Sequence, residues 1–357
     1  MTRQDPLPPE TISLLAWYDR HARELPWRMR DGERPDPYRV WLSEIMLQQT
    51  TVATVEKRFE RFLSRWPTVT DLASAELDDV LHEWQGLGYY ARARNLHRCA
   101  VAVVENWGGR FPDTENALLE LPGIGDYTSA AIASIAFSRP SAPVDGNIIR
   151  VISRLRAIEA KMPSNKRLVA EAVRPLVPRN RPGDFAQAMM DLGATICTPK
   201  NPACSDCPWI GCCKALQQNA VGRYPVKTGK RQRLKRFGTV LWLVDAMGRV
   251  AVRRRPEDGL LGGMIEFPST AWRDTRWSGA EAVAEMAVEA EWAELEGCVG
   301  HTFTHFHLEL DVLKGTARPG ARLPDEWRLV LPGDFDKEAL PTVMKKVVRF
   351  VQAAQES

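Results

Sequence analysis

Two hydrophobic periods divide the chain. Up to about residue 215, apolar side chains recur every three or four positions. Examples are Val52, Val55, Phe59, Phe62 and Trp66 before Pro67, and Leu96, Ala100, Val103 and Trp107 before the Gly108-Gly109 pair. The run from Thr128 to Phe137 and the set Ile148, Ile152, Leu155 and Ile158 follow the same rule. That spacing puts the apolar groups on one face of a helix, so an all-α unit is predicted. After a basic stretch the period becomes two, in Val240-Trp242-Val244, closed by a turn at Met247-Gly248, and in Phe306-Leu308-Leu310-Val312. Alternation is the mark of a half-buried strand, and a mixed α+β domain is expected from about residue 236. An acidic helix around 280–296 and a closing helix around 337–354 complete it.

Length and composition fit this division. At roughly 100–200 residues per domain, 357 residues make two or three domains. Hydrophobic residues at 44% and charged ones at 26% exclude a disordered or fibrous chain. No apolar run of about 18 residues exists to span a bilayer, so no membrane partner is expected. The first ten residues lack the apolar core of a secretory signal, and the expected compartment is the cytoplasm. Net charge is only +3, but residues 223–236 carry seven bases and no acid, while residues 274–296 carry seven acids and one base, Arg276. The basic stretch suits either a polyanion or a solvated linker.

Five of the seven cysteines, Cys197, Cys204, Cys207, Cys212 and Cys213, fall in one short window. That clustering marks ligands, not a disulfide framework. Cys99 and Cys298 are expected as small buried hydrophobes. The spacing Cys197-x6-Cys204-x2-Cys207-x5-Cys213, on a segment restricted by Pro199, Pro202 and Pro208, offers four thiolates; by ligand type alone these suit zinc or iron–sulfur. Cys212 reads as a non-ligand neighbour. A second motif, Leu121-Pro-Gly-Ile-Gly125, precedes a helical run. Gly123 and Gly125 permit a tight hairpin whose N–H groups, at a helix start, can face a phosphate, although the same residues serve ordinary turns. Twenty residues on, Asp145-Gly-Asn147 opens an amphipathic helix, with Asp145 placed as its N-cap.

Together these segments resemble the endonuclease III, or helix-hairpin-helix, superfamily of DNA glycosylases, and within it the MutY family, over nearly the whole chain. The cysteine spacing resembles the superfamily's 4Fe-4S loop, which implies cluster ligation by Cys197, Cys204, Cys207 and Cys213. Asp145 stands at the spacing of the catalytic aspartate, with Asn147 to orient it and Tyr127 to assist. Trp41-Leu-Ser-Glu-Ile-Met-Leu-Gln-Gln-Thr50 is similar to the family's signature, giving Glu44 the place of the catalytic acid; the alternative is an acid complementing the dipole of a helix first turn. Gly86-Leu-Gly-Tyr-Tyr-Ala-Arg-Ala-Arg-Asn95 resembles the minor-groove loop, where Tyr89 would act with Gln49 and Thr50 as a wedge. Leu25-Pro-Trp-Arg28 is similar to the adenine pocket, implicating Trp27 and Arg28, although the stretch 30–36 is longer than the usual spacer. Gln187, in Phe185-Ala-Gln-Ala-Met-Met-Asp-Leu-Gly193, would read the base edge, since an amide both donates and accepts. The bifunctional lyases of the superfamily carry a Schiff-base lysine where this chain has Tyr127. A phenol forms no imine, so a monofunctional enzyme using water is implied.

The C-terminal domain resembles a Nudix fold. Leu261-Gly-Gly-Met-Ile-Glu-Phe-Pro268 is similar to the first half of a Nudix box, but the acidic helix lacks the Arg-Glu-x-x-Glu-Glu order, so no magnesium site is expected. His301-Thr-Phe-Thr-His-Phe-His307 resembles the family's 8-oxoguanine recognition loop, with Phe303, Thr304 and His305 at its tip and a threonine in place of the more familiar serine. Without the family, an exposed strand face would explain the histidines. The resemblance implies an all-α glycosylase domain at 1–216, with the helix-hairpin-helix at about 114–137 and the cluster loop at 197–213. A basic linker at 217–236 and a Nudix-like domain at 237–357 follow. The implied activity is excision of adenine opposite 8-oxoguanine or guanine in double-stranded DNA, by a monomer. A pyrimidine glycosylase of the same fold, a damage-binding scaffold and a nucleotide-pool hydrolase fit less of the chain.

Overall fold

The computed structural model describes residues 6–29, 35–229, 233–256, 259–286, 288–318 and 322–356. Residues 30–34 of the longer spacer and residues 230–232 of the basic stretch therefore lie outside the described residues. The chain forms two compact units: residues 1–75 with 95–229, and residues 76–94 with 230–357.

The first unit is helical. It contains α1 (Pro9–His21), α2 (Pro37–Leu47), α3 (Val52–Arg65) and α4 (Val69–Ala73). The second unit's α5 (Leu77–Glu83) follows, then α6 (Ala91–Trp107), most of which belongs to the first unit. The first unit continues with α7 (Glu115–Leu119), α8 (Asp126–Phe137), α9 (Gly146–Arg156), α10 (Asn165–Val173), α11 (Pro182–Asp191) and α12 (Lys214–Gln217). The apolar period does what it predicts in α3, where Val55, Phe59 and Phe62 are buried. In α9 it buries Ile148, Ile149, Val151, Ile152 and Leu155 against Leu14, Phe185 and Met189. Each such side chain contributes about 1.5–3 kcal/mol by leaving water.

Two local devices shape the site. The chain turns between α2 and α3 at Gln49, which has φ +59°. Glu44 consequently lies in the second half of α2, not in a first turn, and the dipole-complementing explanation is corrected: near the C-terminal end a carboxylate gains nothing from the dipole. Between α7 and α8 the hairpin passes through Gly123 at φ +75°, where a Cβ would stand 2.6 Å from Asn95 Cβ. Only glycine satisfies both the left-handed turn and that close approach.

Among its described residues the second unit forms a mixed seven-stranded sheet: β1 (Leu234–Val244), β2 (Val250–Arg254), β3 (Ile265–Glu266), β4 (Ala290–Glu294), β5 (Val299–Thr302), β6 (Phe306–Ala317) and β7 (Trp327–Val330). Its main path runs β3-β2-β1-β6-β4, with β5 on β6 and β7 on β2. β1 and β6 pair in parallel, with Val240 opposite Val312, and the remaining strand pairs are antiparallel. Val240, Leu241, Trp242 and Leu243 are all buried, so β1 is covered on both faces, unlike the half-exposed strand its alternation suggests.

The acidic helix is shorter than expected. α13 (Gly279–Met286) ends early, and Ala290–Glu294 forms the edge strand β4 beside β6. Trp292 falls opposite Gly315, whose hypothetical Cβ would meet the indole at 2.5 Å; the glycine makes room for the ring, and ladder pairing overrides the helical propensity of Ala and Glu. The closing helix α14 (Thr342–Glu356) starts later than expected, after a 3-10 turn at Pro332–Lys337 and Pro341. Cys99 is buried as expected, whereas Cys298, just before β5, is exposed.

Candidate active site

Within the first unit, Trp27, Arg28, Ser43, Glu44, Gln187 and Met190 line one pocket. α2 presents Glu44 only 5% exposed, and α11 presents Gln187, whose amide donates to the Gly183 carbonyl at 3.4 Å. Burial pushes the Glu44 carboxyl up to about 7; a hydrogen bond from the Tyr127 hydroxyl and the charge of Arg28 oppose the rise, and nearby Asp145 adds to it. The same surroundings push the Tyr127 phenol well above its ordinary value, burial being the main cause. A carboxyl poised near neutrality can give and take a proton.

Arg28 is held rigidly. Its guanidinium donates to both oxygens of Asp191, at 2.6 and 2.8 Å, and Asp191 also accepts from Arg23 Nε at 2.5 Å and from the Arg23 backbone. Asp191 is fully buried. Sequence reasoning quotes this residue within the Phe185–Gly193 segment but assigns it no part. Its one local signal is an acid closing the apolar run Ala188-Met-Met-Asp191. Trp27 packs edge-on against Phe59, 5.5 Å between centroids.

Asp145 caps α9: one oxygen accepts from the Ile148 N–H at 2.7 Å, and the other accepts from the Asn147 amide at 2.9 Å. Burial raises the Asp145 carboxyl, opposed by those hydrogen bonds and by the charge of Arg150. Arg150 in turn donates to the Asn147 side-chain oxygen at 2.9 Å, to the Gly193 carbonyl at 2.6 Å and to the Cys197 carbonyl at 2.7 Å. The orientation of Asp145 is thereby braced against the cysteine loop.

In that loop, Cys207 is close enough to Cys197, Cys213 and Cys204 for their charges to interact. Arg154, 2% exposed, donates to Cys197 Sγ at 3.3 Å. Among the described residues, no three His, Cys, Asp or Glu side chains converge tightly enough to ligate one metal ion. Arg181 pairs with Asp19 and Asp184. In the basic stretch Arg223 pairs with Glu159, Lys235 with Glu309 and Arg236 with Asp274.

The second unit joins two motifs that lie 215 residues apart. Tyr89, 46% exposed and at φ +49°, hydrogen-bonds through its hydroxyl to Thr304. The segment 76–94 that carries it is fastened by Arg94 to the Gly262 carbonyl, by Gln85 to the Glu338 carbonyl and by Lys345 to Gln85. Thr304 and His305 are exposed at the turn tip, but Phe303 is folded inward among Trp272, His301 and Phe306. Glu266, in the Nudix-like segment, is buried and paired with Arg253 and Arg255. Gln49 and Thr50 stand at the turn after α2, Gln49 exposed.

Residues 42–179 match the family model of the HhH-GPD superfamily base excision DNA repair protein, and residues 239–349 match that of the NUDIX domain. An adenine DNA glycosylase of Homo sapiens is 37% identical over 413 residues, spanning 96% of this chain and 74% of that protein. One of Rattus norvegicus is 36% identical over 397 residues, spanning 94% and 77%. Among solved structures, a thermostable thymine-DNA glycosylase superposes with a TM-score of 0.52 at 30% identity, covering 58% of this chain and 95% of that one. With a base excision repair glycosylase unit followed by a Nudix-like unit, and this identity along almost its full length, the chain belongs to the adenine DNA glycosylase family.

Proposed function

We propose that the protein removes adenine mispaired with 8-oxoguanine or guanine in duplex DNA, by flipping the adenine and hydrolysing its glycosidic bond. The observation that carries this reading is the juxtaposition of Glu44, Tyr127 and Asp145 beside a pocket lined by Trp27, Arg28 and Gln187. The bond to be cut is unreachable inside a duplex, so the base must leave the stack. Gln187 can both donate and accept toward the adenine edge. Glu44, held near neutrality, protonates N7 and makes the base a neutral leaving group. Positive charge then develops on the sugar, and Asp145, oriented by Asn147, stabilises it, with Tyr127 assisting beside Glu44. Glu44, now ionised, takes a proton from the attacking water. Tyr127 offers no amine, so no imine to the sugar forms and the enzyme is monofunctional.

Cys197, Cys204, Cys207 and Cys213 would hold a 4Fe-4S cluster. The donor set is all thiolate, the ligand type such clusters take, and Cys207 lies near enough to Cys197, Cys213 and Cys204 for their charges to interact. When bound, the cluster crosslinks the loop that Arg150 and Arg154 engage and takes no part in the proton transfers. Gly123 and Gly125 would set the hairpin N–H groups against a phosphate, while Gln49, Thr50 and Tyr89 would wedge the duplex. Thr304 and His305 would read the base opposite the adenine, on a turn that Phe303 holds from beneath.

Single-turnover cleavage of duplexes carrying A opposite 8-oxoguanine, G, T or C tests the proposal. Fast excision opposite 8-oxoguanine, slower opposite G, and little opposite T or C is expected. Equal rates opposite all four bases, or removal of a pyrimidine instead, would sink it. Replacing Phe303 and His305 together by alanine, which removes the turn's attachment and one exposed contact, should shrink the 8-oxoguanine preference by roughly ten- to a hundredfold.

A further inference from the structure

The turn at 302–306 exposes Thr304 and His305, and a surface turn keeps one pose only when what lies beneath it is rigid. Phe303 supplies the attachment. Its ring stacks on Trp272 with centroids 5.7 Å apart and planes 27° apart, and it meets Phe306 at 5.0 Å and His301 edge-on at 4.6 Å.

Trp272 is itself clamped. Under it lies Gly238 of β1, where a Cβ would stand 2.7 Å from the indole Cδ1 and 3.1 Å from Leu310, so the absent side chain forms the seat. Near the same ring is the Arg255 guanidinium, 4.9 Å from its centroid, at cation–π distance. Arg255 cannot swing away, because it is paired with Glu266. That carboxylate is 1% exposed and also accepts from Arg253 at 2.9 Å and from the Ser269 hydroxyl at 3.2 Å. The carboxylate of the half Nudix box thus has its oxygens occupied by two guanidinia and a hydroxyl. It is an anchor. Trp272, Arg255 and Glu266 also border an open cleft of about 680 Å³.

We infer that Trp272, seated on Gly238 and held by the Arg255–Glu266 pair, is a positioning residue that sets the pose of the 302–306 turn and thereby the preference for adenine opposite 8-oxoguanine. The inference rests on the proposed reading of that turn as the opposite-base reader and names what makes the reader selective.

The test uses the full chain and the ratio of single-turnover rates on A opposite 8-oxoguanine and A opposite G, with active-site titration to correct for inactive protein. Trp272→Ala should lower that ratio by about three- to tenfold, the scale of one lost aromatic stack, with the loss concentrated on the 8-oxoguanine duplex. Trp272→Phe should restore most of it. A merely structural role would lower the active fraction and both rates together, leaving the ratio unmoved. Should Trp272→Ala fail to fold, Arg255→Gln, which keeps the indole and removes its clamp, should lower the ratio in the same direction. An unchanged ratio in the folded variants overturns the inference. The Phe303 and His305 double variant separates the two failures. If it loses preference while the Trp272 and Arg255 variants keep it, the reader stands and the inference falls; if it keeps preference too, both fall.

Discussion

Replacing Glu44 by glutamine removes a proton donor and a latent buried charge at once, so it should change activity and stability in opposite directions. The carboxyl titrates at about 7 in the fold against 4.5 when exposed. Between those values the native protein keeps a proton that the unfolded chain has released. Wild-type stability is therefore undiminished below about pH 4.5, declines as pH rises toward 7, and stays reduced above it. At about 1.4 kcal/mol per tenfold change in acidity, ionised Glu44 costs the fold about 3 kcal/mol at pH 8. Glutamine, neutral throughout and still able to accept from Tyr127, avoids that cost. Glu44→Gln should then match wild type near pH 4.5 and exceed it by up to about 3 kcal/mol at pH 8, or about 6–12 °C in melting temperature for a unit of this size. Excision should meanwhile fall by at least about 10²-fold, the usual share of a general acid. The wild-type rate itself should decline above about pH 7 as the acid loses its proton. Calorimetric melts at pH 5 and pH 8, with single-turnover rates on one mispaired duplex, check all three. A stability difference that does not grow with pH would refute the burial argument, and excision within about tenfold of wild type would remove Glu44 as the acid.

Asp145→Asn should be inactive yet nearly as stable as wild type, because asparagine caps a helix as well as aspartate does, while Asp145→Ala should also lose about 1 kcal/mol in denaturant melts. Asp191→Asn leaves Arg28 short of its charge partner in a buried site and should cost on the order of 3 kcal/mol, read as a lower melting temperature together with weaker excision. Cys213→Ser should abolish the visible iron–sulfur absorption and the iron content of about four per chain, whereas Cys212→Ser should retain both; stoichiometric zinc in anaerobically prepared protein would contradict the cluster assignment. Borohydride should trap little covalent protein–DNA adduct on cleavable duplex, and strong trapping at the rate of base loss would overturn the monofunctional reading.

Helical and strand periods, the hairpin glycines, the cap at Asp145 and the four spaced thiols are all legible along the chain, because each is decided by neighbours within a turn or two of backbone. The same locality explains what was missed. Nothing near Asp191 indicates that Arg23 and Arg28 reach it from more than 160 residues away. Nothing in 290–294 shows that β6 needs an edge partner and holds a glycine opposite Trp292. The motifs around Tyr89 and Thr304 can be recognised separately, but their hydrogen bond arises only because residues 76–94 pack with the second unit. The sequence by itself determines most of the helices, the strands that alternate clearly, and which side chains could do chemistry, but not the strand at 290–294. Tertiary structure alone decides that Glu44 is buried enough to hold a proton near neutrality, since that value depends on how much water surrounding chains exclude. It likewise decides that Phe303 rests on Trp272 instead of standing free, because a stack between rings 31 residues apart depends on how the strands beneath them pair.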